Sequence, residues 1–161
     1  MSLILSGTDG LTFNNATTQN SGGKVLQVVS STLSTSQSTT SSTFVTTNLT
    51  ASITPLFNNS KILILVSGSW YWSTGSGAAF FTMYRNSTNL EITSTRGFAE
   101  YNIPTASSGY SVAMSYLDSP VTTSSTTYSA YFRSNASNPV VFCVDGSTAV
   151  ITLMEIAPWF F

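Results

Sequence analysis

In Tyr110-Ser111-Val112-Ala113-Met114-Ser115-Tyr116 the larger side chains fall on every second residue, with small ones between them. A period of two belongs to a β-strand with one face in a core and the other in water. The pattern recurs in Leu49-Thr50-Ala51-Ser52-Ile53 and in Thr127-Tyr128-Ser129-Ala130, continued by Phe132. Working outward, runs rich in Val, Ile, Thr, Tyr and Phe predict strands over 24–32, 43–54, 61–72, 78–86, 89–95, 97–102, 109–118, 125–134, 139–145 and 148–156. Pro55, Pro104, Pro120, Pro139 and Pro158 fall at strand ends, where a missing N–H costs no ladder bond. Asp145-Gly146, between two apolar runs, reads as a hairpin turn. Helical apolar spacing is never sustained beyond about two turns. The expected fold is all-β: an antiparallel jelly-roll sandwich of about ten strands.

The composition narrows the function. Only 5 Lys+Arg and 6 Asp+Glu occur in 161 residues, 7% against the roughly 25% of an ordinary soluble protein. Polarity comes instead from 29 Ser, 25 Thr and 11 Asn. Lys24, Lys61, Arg85, Arg96 and Arg133 are scattered and the net charge is −1, which argues against nucleic-acid binding. The longest strictly apolar run, Ile62 to Val66, is far short of the roughly 18 residues of a spanning helix, so membrane insertion is not expected. Met1 to Ser6 lacks the basic and long apolar segments of a signal peptide, and the chain reads as one made and used without secretion.

Residues 1–23 differ from the rest. Two apolar triplets, Leu3-Ile4-Leu5 and Leu11-Thr12-Phe13, flank the turn-rich Ser6 to Gly10, and Ser21-Gly22-Gly23 follows as a hinge. A segment this short builds no core, so it reads as a short extended arm that anchors on a partner through Leu3, Ile4, Leu5, Leu11 and Phe13. Residues 24–161 form the domain, ending in the aromatic tail Trp159-Phe160-Phe161. Ile62, Ile64 and Val66 in one strand, and Val150, Thr152, Met154 and Ile156 in another, belong to runs that are largely apolar on both faces, which marks both strands as candidates for a subunit interface. A surface so poor in charge calls for self-association.

Catalytic chemistry finds little support. With no histidine, His-based catalytic triads, most transition-metal sites and the usual pH switch are removed. Cys143 stands alone, Ser21-Gly22-Gly23-Lys24 lacks the companion motifs of a serine–lysine enzyme, and the six carboxylates are far apart in sequence. No cofactor is expected and the chain is read as a non-enzyme. Trp70 and Trp72 share one face of a strand end and, with Tyr101 in a neighbouring loop, suit contact with the C–H faces of a glycan if exposed; if not, they close the end of the sandwich or an interface.

Gly23-Lys24-Val25-Leu26-Gln27-Val28-Val29, Leu49 to Pro55, Ser60 to Val66, Tyr84-Arg85-Asn86-Ser87-Thr88 and Ala149 to Ala157 follow one another in an order and spacing that resembles small virion structural and tail-fibre domains of tailed bacteriophages, the aquatic and cyanobacterial ones above all. The resemblance spans nearly the whole chain but rests on framework residues. It implies a homotrimeric jelly roll like the tumour-necrosis-factor and complement heads, with Val150 to Ile156 near the threefold axis and Trp159, Phe160 and Phe161 as an added clasp. The implied role is a receptor-binding fibre tip in the virion, joined to other virion proteins through residues 1–22 and contacting a host surface glycan. The alternatives are a capsid or tail decoration protein without a receptor and, more remotely, a polysaccharide depolymerase.

Overall fold

The computed structural model describes residues 24–91, 93–104, 108–135 and 138–158, together with the backbone of three short strands before them. Those strands, β1 (Ile4–Ser6), β2 (Gly10–Thr12) and β3 (Thr18–Gln19), pair as an antiparallel meander. The arm is therefore doubled back on itself rather than simply extended, in keeping with the glycines between its apolar triplets. The side chains of Leu3, Ile4, Leu5, Leu11 and Phe13 lie outside the described residues.

From Lys24 onward the strands are β4 (Val25–Leu33), β5 (Gln37–Thr39), β6 (Val45–Ile53), β7 (Lys61–Trp72), β8 (Gly77–Arg85), β9 (Thr88–Asn89), β10 (Ala99–Ile103), β11 (Ser108–Asp118), β12 (Thr126–Ser134), β13 (Val140–Phe142) and β14 (Ala149–Ile156). They make an all-β sandwich of two antiparallel sheets. One sheet runs β4-β14-β7-β11, with β13 and β5 continuing it past the end of β14. The other runs β6-β12-β8-β10, with β9 folded back onto β8.

Alternation decides which side chains meet between the sheets. In β12 Thr126, Tyr128, Ala130, Phe132 and Ser134 are buried; in β14 Ala149, Ile151, Leu153 and Glu155 are. β7 sends Ile62, Ile64, Val66, Trp70 and Trp72 inward. Gly68 occupies the same face because nothing larger fits: a Cβ there would lie 2.8 Å from the Phe142 ring and 2.9 Å from the Ala149 Cβ.

At one end of the sandwich the two sheets are pinned by charge. Arg85 Nη1 lies 2.9 Å from both carboxylate oxygens of Asp118, and the Tyr128 hydroxyl donates to Asp118 Oδ2 at 2.7 Å. Burial, then the hydrogen bond to that carboxylate, pushes the Tyr128 phenol far above its usual range, so it stays a donor at any working pH.

Two expectations are corrected. The run 89–95 is strand only at Thr88–Asn89, because side chains take the N–H groups a ladder needs. Asn89 Oδ1 accepts from Glu91 N at 3.1 Å, and Glu91 Oε1 accepts from the backbone of Thr93 and Ser94. Asp145-Gly146 does not close a hairpin between β13 and β14. Both strands lie end to end on the same edge of β7, Phe142 opposite Trp70 and Val150 opposite Ser67. The intervening residues turn through positive φ at Cys143, Asp145 and Gly146, while the buried Cys143 still bonds Ser69 O through its N–H at 2.9 Å. The five prolines all lie outside strands, as expected.

Replacing Gly68 by Val should push Phe142 and Ala149 apart and lower stability by about 1–3 kcal/mol. Urea unfolding would show this as a lower midpoint at unchanged slope; a stability equal to that of the parent would refute the close-packing account of this position.

Candidate functional site

The outer face of the β4-β14-β7-β11 sheet is built in rows by the strand register. Met154 stands opposite Val28 on one side and Leu63 on the other, and Leu63 opposite Leu117, giving one apolar row across four strands. The next row is Ser30, Thr152, Leu65 and Ser115, and the next Thr32, Val150, Ser67 and Ala113. Leu65, Ala113, Val150 and Thr152 line a shallow concavity of about 420 Å³. Val28 is 56% exposed, Leu117 48% and Leu65 37%, high for apolar side chains of a sheet face. Among the described residues of these four strands, Lys61 is the only outward charged side chain, and its Nζ donates to Ser119 Oγ at 3.1 Å.

Val150, Thr152, Met154 and Ile156 are half-buried on this outer face. Ile62, Ile64 and Val66 are not: at 0%, 0% and 2% exposure they belong to the core. Because the strand is apolar on both faces, its sequence did not say which face is outward; the outward residues are Leu63 and Leu65. Trp159, Phe160 and Phe161 lie outside the described residues.

Trp70 and Trp72 are corrected too. Both have no exposed surface and fill the sandwich interior. Trp70 packs against Phe81 at 5.5 Å, Tyr101 at 4.9 Å and Tyr110 at 5.3 Å between ring centroids, and Trp72 Nε1 donates to Gly75 O. Neither ring offers a plane to a glycan. Tyr101 is half-buried over Trp70 with its hydroxyl on Ser111 O at 2.9 Å, so it serves as part of the lid on that end. The same parity that carries Ile62 inward carries both tryptophans inward.

At the opposite end, β14 places a carboxylate inside. Glu155 has no exposed surface, and it accepts from Gln27 Nε2 at 2.6 Å and from Leu56 N at 2.8 Å. Gln27 Nε2 also donates to Thr54 O, so one side-chain cluster ties β4 and β14 to the loop that carries Leu56 and Phe57, both exposed. Burial pushes the Glu155 carboxyl up, but the Gln27 amide and the backbone N–H groups of Leu56 and Phe57 outweigh it and hold the group below its ordinary 4.5. Among the described residues no cluster of three or more His, Cys, Asp or Glu side chains is placed to hold a metal ion.

No protein-family model matches the chain, and no curated protein matches it significantly.

Since the folded Glu155 carboxyl titrates below its unfolded value, its contribution is complete above the unfolded value and is lost as pH falls through the folded one. Thermal unfolding followed from pH 7 into the acid range should show a loss of stability below about pH 4.5 that is smaller in Glu155→Gln. That variant should itself be less stable at pH 7 by about 1–3 kcal/mol. Identical acid profiles in both proteins would contradict this assignment.

Proposed function

We propose that the chain is a virion structural protein of a tailed bacteriophage, a homotrimeric tail-fibre or receptor-binding tip attached to other virion proteins through residues 1–22. The observation that carries this reading is the outer face of the β4-β14-β7-β11 sheet, whose apolar row of Val28, Met154, Leu63 and Leu117 is bordered by hydroxyls and almost free of charge. Copies of the same chain are its natural cover, since a neutral face repels no identical neighbour and closed symmetry hides it fully.

Strand order supports the jelly-roll form of the sandwich. The first long strand, β4, neighbours β14, and the second, β6, neighbours β12; β7 then lies between β14 and β11, and β8 between β12 and β10, the order of two nested Greek keys. This reading assigns no catalysis. Asp118 is held by Arg85 and Tyr128, Glu155 by Gln27 and Leu56, Glu100 by Arg96, and Glu91 by the loop it caps. Burial of Trp70 and Trp72 removes the aromatic platform expected for a receptor and so favours a second reading, a decoration protein that stabilises the capsid or tail.

Native mass spectrometry should give a trimer for the parent protein and monomer for Leu65→Glu with Leu117→Glu, both exposed enough to leave the monomer folded by circular dichroism. A monomeric parent at micromolar concentration would sink the assembly. Immunogold labelling of intact particles should mark the tail for a fibre tip, whereas label over the head would establish the decoration reading. Absence of the protein from purified particles by mass spectrometry would overturn both.

A further inference from the structure

The outward residues of the second sheet include an aromatic and cationic cluster that the interface does not use. Arg133 and Tyr131 of β12 face out beside Phe80 and Tyr84 of β8, with Arg133 opposite Phe80 in the register. The Arg133 guanidinium lies over the Phe80 ring at 3.8 Å and near the Phe44 ring at 5.2 Å. Tyr84 stacks on Tyr131 with ring centroids 3.9 Å apart. Two segments wall this floor, Ser42 to Phe44 on one side and Thr93 to Thr95 on the other, leaving a groove of about 610 Å³, within the range of small-ligand sites.

The groups at the groove have unused donors. Arg133 Nη2 donates to Thr95 O at 2.8 Å and Nη1 reaches Ser42 O only at 3.5 Å, out of five N–H groups available. The two ion pairs among the described residues are Arg85 with Asp118 and Arg96 with Glu100, so Arg133 has no carboxylate partner there. Burial holds its pKa below the usual arginine range, Glu100 opposing and Arg96 reinforcing that shift. Asn89 Oδ1 accepts from Thr82 Oγ1 and from Glu91 N. Because a backbone N–H can only donate, the amide oxygen is fixed there, and Nδ2 is left without a partner among the described residues.

The groove is also preformed. Gly97 has φ +79°, and a Cβ there would lie 2.4 Å from Phe81 O; the adjoining Phe98 N bonds the same oxygen at 2.9 Å, clamping the 93–98 segment to β8. Glu91 fixes the near end of that segment through Thr93 and Ser94, which engages its own charge within the wall. A rigid groove of aromatic faces, hydroxyls and amide donors suits a sugar ring, and an unpaired planar guanidinium suits a carboxylate.

We propose that this groove binds a carboxylated saccharide, a uronic-acid-type unit of a surface polysaccharide, with its carboxylate on Arg133 and its ring over the Tyr84 and Phe44 side. The proposal rests on the receptor-binding reading and moves the contact from the tryptophan end to the opposite sheet.

Titration calorimetry of the full chain with trigalacturonate and with maltotriose tests it. Binding of trigalacturonate alone is expected, weakened about tenfold or more in Arg133→Met, which keeps an apolar stem on Phe80 and loses the charge. Should that variant unfold, Tyr84→Phe, which removes only a hydroxyl, is expected to weaken binding severalfold, with amide chemical-shift changes in the parent confined to residues lining the groove. Equal affinity for maltotriose, no binding by the folded parent, unchanged affinity in Arg133→Met, or shifts elsewhere would overturn the site. Added protein should also block adsorption of the phage that carries it: blocking without acidic-sugar binding would discard the groove and keep the receptor role, and Arg133-dependent binding without blocking would do the reverse.

Discussion

The pleat of β7 governs what every other strand can do. It is hydrogen-bonded on both edges, to β11 along its whole length and to β14 and β13 in succession on the other side, so a change of register would have to break both ladders at once. A one-residue slip would turn Ile62, Ile64, Val66, Trp70 and Trp72 to water and bring Lys61, Leu63, Leu65, Ser67, Ser69 and Tyr71 inward. Gly68 sits in the middle of this face as the gap through which Phe142 crosses from the neighbouring strand. From that parity follow the core, the outward apolar row and the burial of both tryptophans.

The strands were largely legible because hydroxyl residues alternate so regularly with apolar ones, and because prolines mark the ends. Facing was legible only where one parity is polar. Ile62-Leu63-Ile64-Leu65-Val66 is apolar at both parities, so the sequence is equally consistent with Leu63 or Ile64 facing the core; the partner strands settle it. Trp70 shares the parity of Ile62, but a tryptophan between Ser69 and Tyr71 looks the same at an interface, in a core or on a surface. Asp145-Gly146 did carry positive φ, at +51° and +76°, as its composition suggested. Local turn chemistry sets the dihedrals, however, and the edge of β7 decides where the next strand goes. The Arg133 groove was half legible: alternation puts Arg133 and Tyr131 on one face, while its walls come from segments about 40 and 90 residues away in sequence that only the fold brings together.

In a chain with eleven charged side chains, three carboxylates among the described residues stand where a neutral group would do less. Asp118 joins three strands through Arg85 and Tyr128, Glu155 gathers the Gln27 amide and the Leu56 N–H at the end of β14, and Glu91 holds the loop that follows β9. Each carboxylate is a local organiser of N–H and O–H groups, work that serine and threonine do only in part because a hydroxyl must also donate.

Arg133 departs from that economy. A cation lowered onto two phenylalanine rings gives up hydration, and aromatic faces return only part of it, on the order of 0.5–2 kcal/mol. A neutral residue of similar length would cover Phe80 at lower cost, so packing alone does not account for a charge at this position. An anionic ligand, as proposed for the groove, accounts for it. In a surface otherwise dominated by hydroxyls, where a neutral sugar meets many equivalent partners and no preferred one, a single guanidinium without a carboxylate is the group able to give one ligand chemistry an advantage over the rest.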